Sequence, residues 1–430
     1  GKADITPELG VELCGYGYYL GRRAKAILDP LYVRAVALED NKRTLLVANC
    51  DLIGLPASMV EAVKSAWQEE FGPNRQDALL LSIHTHSGPA TGVLRGCGEL
   101  DAQYANYLME KIIEAGKVAL RSLAEVISIS SFRGNVGGIA WNRVFKEKGP
   151  VDSGVYGLVF ERSGLRPLVL VNYACHPVTL GRNDEVSADY PGRVVQTLDN
   201  AGHEAVFLGG FSGDIDPEIN ARSWGAGTET TIDEYGRRIA EAAMAAMEKA
   251  APLPDVTLDS FEVEVELPLQ TLTDEMVCRE MQEAEASREE HPAYAWVIRE
   301  WTLAMESQRH ETETVTVQVL RIGKAILVGF PGETFTKLGL IIKEALPDWH
   351  VMTLGNANHV MRYIPVKEDI EARNYAGHDS CRVYDRLPLQ PGAGEHLAEA
   401  ALAAIKERFA LEYCRKSQPE NCREVLPWQI

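Results

Sequence analysis

The sequence predicts one large mixed α/β (α+β) domain, with central mixed sheets flanked by helices and a helical insertion. Three observations predict it. Apolar strand-like runs alternate with amphipathic helical stretches through most of the chain. No internal repeat, low-complexity tract or Pro/Ser linker divides it. The 430 residues are 46% hydrophobic and 24% charged, a composition that builds a large core without disulfides or metal.

The elements follow in order. Residues 43–49 (RTLLVAN) read as a buried strand. Residues 58–70 are helical by the spacing of Val60, Val63 and Trp67. A second apolar strand covers 78–83 (ALLLSI), and a long helical pattern covers 101–123. Strands at 155–160 and 167–172 flank the turn Arg162-Ser163-Gly164 and read as a hairpin. Then come a helix at 190–200, a strand at 204–208 and an Ala-rich helix at 231–249. Residues 256–267 alternate like a strand. The charged stretch 274–308 reads as a helical insertion, a helical hairpin broken near His291-Pro292, and strands at 314–320 and 325–330 follow it. Lying just before the Glu333 strand, the insertion is either a roof over a pocket or a solvated helical face.

Charge excludes some partners. Lys and Arg number 43 against 62 Asp and Glu, a net charge of −19. Phosphate binding rests on clustered basic residues, so nucleic acid is not an expected partner, and anionic lipid gains no attraction. No apolar run approaches the ~20 residues of a membrane span, so stable membrane insertion is not expected. The start, Gly1-Lys2-Ala3-Asp4, lacks Met and an apolar leader core, so a leader was removed or a few residues are missing. Eight Cys form no CxxC pair and read mostly as reduced, buried thiols. Cys414 and Cys422 are close enough in sequence to pair. The expected compartment is cytoplasmic, or secreted or periplasmic if a leader was cleaved. The expected partner is a small-molecule substrate, and a homo-oligomer is open.

Reactive residues gather where apolar strands end, which is where scaffolds place chemistry. Ser82-Ile83-His84-Thr85-His86-Ser87-Gly88-Pro89 carries two His at a spacing that puts both on one face of an extended segment. That is a metal signal, with polar residues at a strand exit as an even alternative. Asn172-Tyr173-Ala174-Cys175-His176-Pro177 adds a third His; Cys175 has no activating neighbour in sequence and reads as core. In Gly209-Gly210-Phe211-Ser212-Gly213-Asp214-Ile215-Asp216-Pro217, Asp214 and Asp216 either face a ligand or cap the next element. Glu333, in Phe330-Pro331-Gly332-Glu333-Thr334, either caps a helix or enters a site. The stretch 356–375 adds His359, Tyr363 and Tyr375.

In combination these motifs resemble the catalytic domain of the neutral (non-lysosomal) ceramidase family. The landmarks run from Ala3-Asp4-Ile5-Thr6-Pro7 through Asp29-Pro30-Leu31-Tyr32, His84-Thr85-His86-Ser87-Gly88-Pro89, Asn172 to Pro177, Ser187-Ala188-Asp189-Tyr190-Pro191-Gly192 and Pro331-Gly332-Glu333 to Tyr375. The resemblance implies one catalytic Zn²⁺ held by His84, His176, Glu333 and Tyr363. It implies substrate contacts from His86, Tyr375 and Arg143, with His86 and Tyr375 also counted as catalytic. Where that family carries a Ser in Gly-Asp-Val-Ser-Pro, this chain has Asp216, a candidate general base or metal ligand, with Asp214 beside it. The family's further β-sandwich domain is not expected here. The expected activity is hydrolysis of an amide (N-acyl) bond of a substrate other than ceramide. Ester or glycosidic cleavage is the alternative, and a non-catalytic binding protein is the second alternative.

Overall fold

The computed structural model describes residues 1–18, 20–254 and 256–417. The pair Cys414–Cys422 lies outside the residues whose side chains are described. Three mixed sheets form the frame. The first orders Lys2–Asp4, Tyr32–Glu39, Thr44–Cys50 and Ala78–Ser82, the last two parallel. The second orders Glu204–Gly209, Leu168–Tyr173, Gly154–Arg162, Val126–Asn135 and Ala251–Pro252, with the first two parallel. The third orders Leu258–Pro268, Thr312–Ile322, Ala325–Gly329 and His350–Leu354, again ending in a parallel pair.

The apolar strands are apolar on both faces because all three sheets share one interior. Val47 and Leu81, Leu170 and Leu208, and Leu327 and Met352 come from the first, second and third sheets into one buried cluster. Each such side chain stabilises the fold by roughly 1.5–3 kcal/mol through removal from water. Two buried amides stitch the sheets together. Asn49 donates to the Phe207 carbonyl at 2.6 Å, and Asn172 donates to Leu208 at 2.9 Å and Thr353 at 3.1 Å. Helices Ala57–Phe71, Ala102–Arg121, Asp189–Asn200 and Glu229–Met247 cover one set of faces. Helices Thr336–Glu344 and Ala393–Ser417 lie against the third sheet's side.

The sequence pattern places most of these elements within a few residues. It passes over Tyr32–Glu39, Val126–Asn135 and His350–Leu354 as strands. Val126–Asn135 is largely exposed and polar, so it offers little apolar alternation. The helical stretch before the Thr312 strand is two helices, Asp274–Ser287 and Pro292–Glu306. Thr273 caps the first by accepting from the Met276 amide, and Pro292 opens the second, where its missing N–H costs nothing. Val297, Ile298 and Trp301 are fully buried, so the hairpin is docked on the body and not merely solvated. Among the described residues, no helix is long and apolar enough to cross a membrane.

Candidate active site

Four of the candidate residues come after the C-terminal end of a long strand. His84 follows Ala78–Ser82, His176 follows Leu168–Tyr173, Asp216 follows Glu204–Gly209 and Glu333 follows Ala325–Gly329. Loops at that end of a sheet diverge and leave a crevice. Here the crevice closes around Glu333. Its carboxylate is 4% exposed, and Oε2 stands 3.2 Å from His84 Nε2 and 2.8 Å from His176 Nε2. Glu333 and Tyr363 are register partners in a short parallel pair of strands, which sets their side chains next to each other. Arg143 donates to the Tyr363 hydroxyl at 2.8 Å, the Gly213 carbonyl at 2.8 Å and the Asp216 carboxylate at 3.1 Å.

Burial alone would raise the Glu333 pKa, but the facing imidazoles of His84 and His176 outweigh it and hold the carboxyl well below its ordinary range. An ionised carboxylate this deeply buried is costly unless it is met by several partners. Such a concentration of titratable groups is a mark of function.

Hydrogen bonds separate the three histidines. His84 Nδ1 lies 2.6 Å from the Ile53 carbonyl, and His176 Nδ1 lies 2.6 Å from the Ser212 carbonyl. A carbonyl only accepts, so both rings carry a proton on Nδ1 and turn Nε2 to the Glu333 carboxylate. His86 is the opposite case. Its Nδ1 accepts from the Tyr16 backbone N–H at 3.2 Å, so the neutral ring keeps its proton on Nε2. That Nε2 is buried with no hydrogen-bond partner among the described residues. Burial, then the neighbouring His84 and His176, push the His86 pKa well below its ordinary value, so the ring is neutral. The possible ligand atoms of His84, His86 and His176 all lie within 4.8 Å of one another, a group able to hold a metal ion. Nδ1 of His84 and His176 is thus bound to backbone and their Nε2 faces the crevice, whereas His86 presents an N–H there.

The two His of His84-x-His86 meet by a turn and not by the pleat of a strand. The strand ends at Ser82, and His84 has φ 72°, the left-handed region, where a non-Gly residue stores strain of order 1–3 kcal/mol. Gly15 allows the His86 placement. Its φ is +99°, and a Cβ there would meet the His86 ring at 2.5 Å. Gly15→Ala is therefore expected to displace His86 and cut turnover, while the metal content of the purified protein stays at the wild-type level.

The structure divides Asp214 from Asp216. Asp214 is fully buried and accepts from the Thr336 amide and the Asn142 side chain, each at 2.7 Å. Burial still raises its pKa. It pins the start of the Thr336–Glu344 helix and takes no place beside the histidines. Asp216, 3% exposed, lines a cavity of about 490 Å³ together with Arg143, Trp141, Trp224 and Tyr375. Tyr375 is half-exposed with its ring 5.7 Å from that of Tyr363. A larger cavity of about 630 Å³ lies elsewhere and is lined by none of these residues. His359 stays outside the cluster, with Arg386 and Glu313 among its charged neighbours.

No protein-family model and no curated protein sequence matches the chain. Solved structures do. Neutral ceramidase from Pseudomonas aeruginosa superposes with a TM-score of 0.74 at 19% identity, covering 100% of this chain and 76% of that one. A ceramidase complexed with C2 gives 0.74 at 18% identity with the same coverage. The chain has the neutral ceramidase fold.

Sequence reasoning missed two residues in this crevice. Tyr16 fixes the His86 tautomer through its backbone, which no side-chain motif can reveal. The Tyr384 hydroxyl donates to Glu333 Oε1 at 2.5 Å, and its neighbours Arg382-Val383-Tyr384-Asp385 carry no recognisable signal.

Proposed function

We propose that the chain is a zinc-dependent hydrolase of amide (N-acyl) bonds, acting on a substrate smaller or more polar than ceramide. The carrying observation is the opposed orientation of the histidines. The Nε2 atoms of His84 and His176, a carboxylate and a phenol hydroxyl converge, and a neutral N–H donor stands beside them. His84, His176, Glu333 and Tyr363 would hold the ion, and such nitrogen and oxygen donors suit Zn²⁺. When bound, Zn²⁺ acidifies water and polarises a carbonyl.

The remaining chemistry belongs to the chain. The His86 Nε2–H donates to the carbonyl oxygen as negative charge develops there. Asp216 takes the proton of the attacking water, and Arg143 orients its carboxylate at 3.1 Å. Tyr375, with Trp141 and Trp224, walls the mouth where the substrate enters. Asp214, spent on Thr336 and Asn142, leaves no second carboxylate from this motif for a glycosidase pair. The mixed polar and aromatic wall and the net charge of −19 both favour a polar substrate over a membrane lipid.

The test is metal analysis with a screen of N-acyl amides, acyl esters and glycosides, each run with and without chelator. The expected result is about one Zn per chain and amide hydrolysis that chelation abolishes and Zn²⁺ restores. Cleavage of glycosides alone, or amide cleavage indifferent to chelator, rejects the proposal. Absence of both metal and hydrolysis identifies a non-catalytic binding protein.

A further inference from the structure

The helical hairpin of residues 274–306 reaches the site through one short helix, Ser380–Tyr384. Arg382 on that helix is 1% exposed and is gripped from the hairpin side. It pairs with Glu280 at 2.6 Å and Glu283 at 2.8 Å and donates to the Tyr294 hydroxyl at 2.8 Å. Trp301 of the second hairpin helix donates to the Arg386 carbonyl at 2.9 Å. Asp385, at φ 53°, ends the helix and accepts from Arg95 Nε at 2.8 Å. At the other end, the Ser380 amide donates to the Tyr375 carbonyl at 2.8 Å. The segment that carries Tyr375 and Tyr384 is thus held on both sides.

Tyr384 is the contact this grip serves. It is buried, its ring lies 6.1 Å from that of Tyr363, and its hydroxyl binds Glu333 Oε1. A carboxylate free to rotate presents either oxygen, or both, to the imidazoles. With Oε1 occupied by Tyr384, only Oε2 faces His84 and His176. Groups that orient a ligating carboxylate in this way tune metal affinity without touching the metal.

We propose that Tyr384 is a positioning residue for Glu333, and that the helical hairpin sets it through the buried Glu280–Arg382 pair. The hairpin is thus a clamp on the site's carboxylate and not only a roof over substrate. The proposal rests on the zinc reading of the site. Its test is the Zn²⁺ dissociation constant, measured by competition with a chromogenic chelator, for wild type, Tyr384→Phe and Glu280→Gln. Circular dichroism of the metal-free proteins checks the fold.

The expected result is a ~10–100-fold weaker Zn²⁺ affinity for Y384F. E280Q, which touches no proposed ligand, is expected to weaken it roughly 2- to 30-fold. Wild-type affinity in Y384F overturns the positioning role. Weakened Y384F with unchanged E280Q overturns the clamp and leaves Tyr384 acting alone. Should Y384F not fold, E280Q decides: weaker binding supports the clamp, and unchanged binding rejects it. A wild-type protein that binds no Zn²⁺ overturns the site reading itself, and that failure is visible before any variant is made.

Discussion

A Glu333→Ala protein is expected to fold, to purify without zinc and to lose turnover by about three powers of ten or more. The magnitude follows from the several kcal/mol of transition-state stabilisation that a bound metal supplies, at ~1.4 kcal/mol per tenfold. The expectation that it folds has a separate basis. Removing one partner of a buried ion pair is severe when the other keeps an unpaired charge. Here the partners left behind are imidazoles, and burial already pushes His176 towards its neutral form. Both rings remain hydrogen-bonded through Nδ1 to Ile53 and Ser212. Metal analysis and steady-state kinetics, run beside His84→Ala, check the result. Zinc retained at wild-type stoichiometry in both variants would falsify the ligand assignment.

An Asp216→Asn protein is expected to keep its zinc and to lose ~10²–10⁴-fold in kcat, with little change in KM. The amide preserves the shape of the carboxylate, and its oxygen still accepts from Arg143, which stays anchored on Tyr363 and Gly213. What disappears is the ability to take a proton. Loss of zinc instead would make Asp216 a ligand, and an unchanged rate would remove it from the mechanism. Titrating zinc in the same preparation used for kinetics separates these three outcomes.

Much of the frame was legible because strands buried on both faces are continuous apolar runs, and reactive residues at their exits stand out. His84, His176, Asp216 and Glu333 were all singled out that way, and the structure brings them to one crevice. The geometry joining them was less legible. An extended pleat was expected to bring His84 and His86 together, and a left-handed backbone at His84 does so. Asp214 and Asp216 are alike in sequence, yet Asn142 and Thr336 claim the first, and both lie far from it along the chain. Tyr363 stood out in sequence only as one of two Tyr in the stretch 356–375, and its ligand role came from resemblance; its place follows from register with Glu333, a pairing of two-residue strands too short for any periodicity. Tyr384 was invisible because its partner is a single atom contact across the fold.

The amides of Asn49 and Asn172 carry a consequence for how the molecule is made. They close sequence separations of 158 and 181 residues, and the His176–Glu333 contact closes 157. Local structure can form before these closures, but the crevice cannot, because the chain entropy of each loop is lost before any of its contacts is gained. On the zinc reading, affinity for the ion therefore waits on the His176–Glu333 pairing. A chain still emerging from the ribosome holds the histidines without the carboxylate, and it completes the crevice only after its final third has joined the sheets.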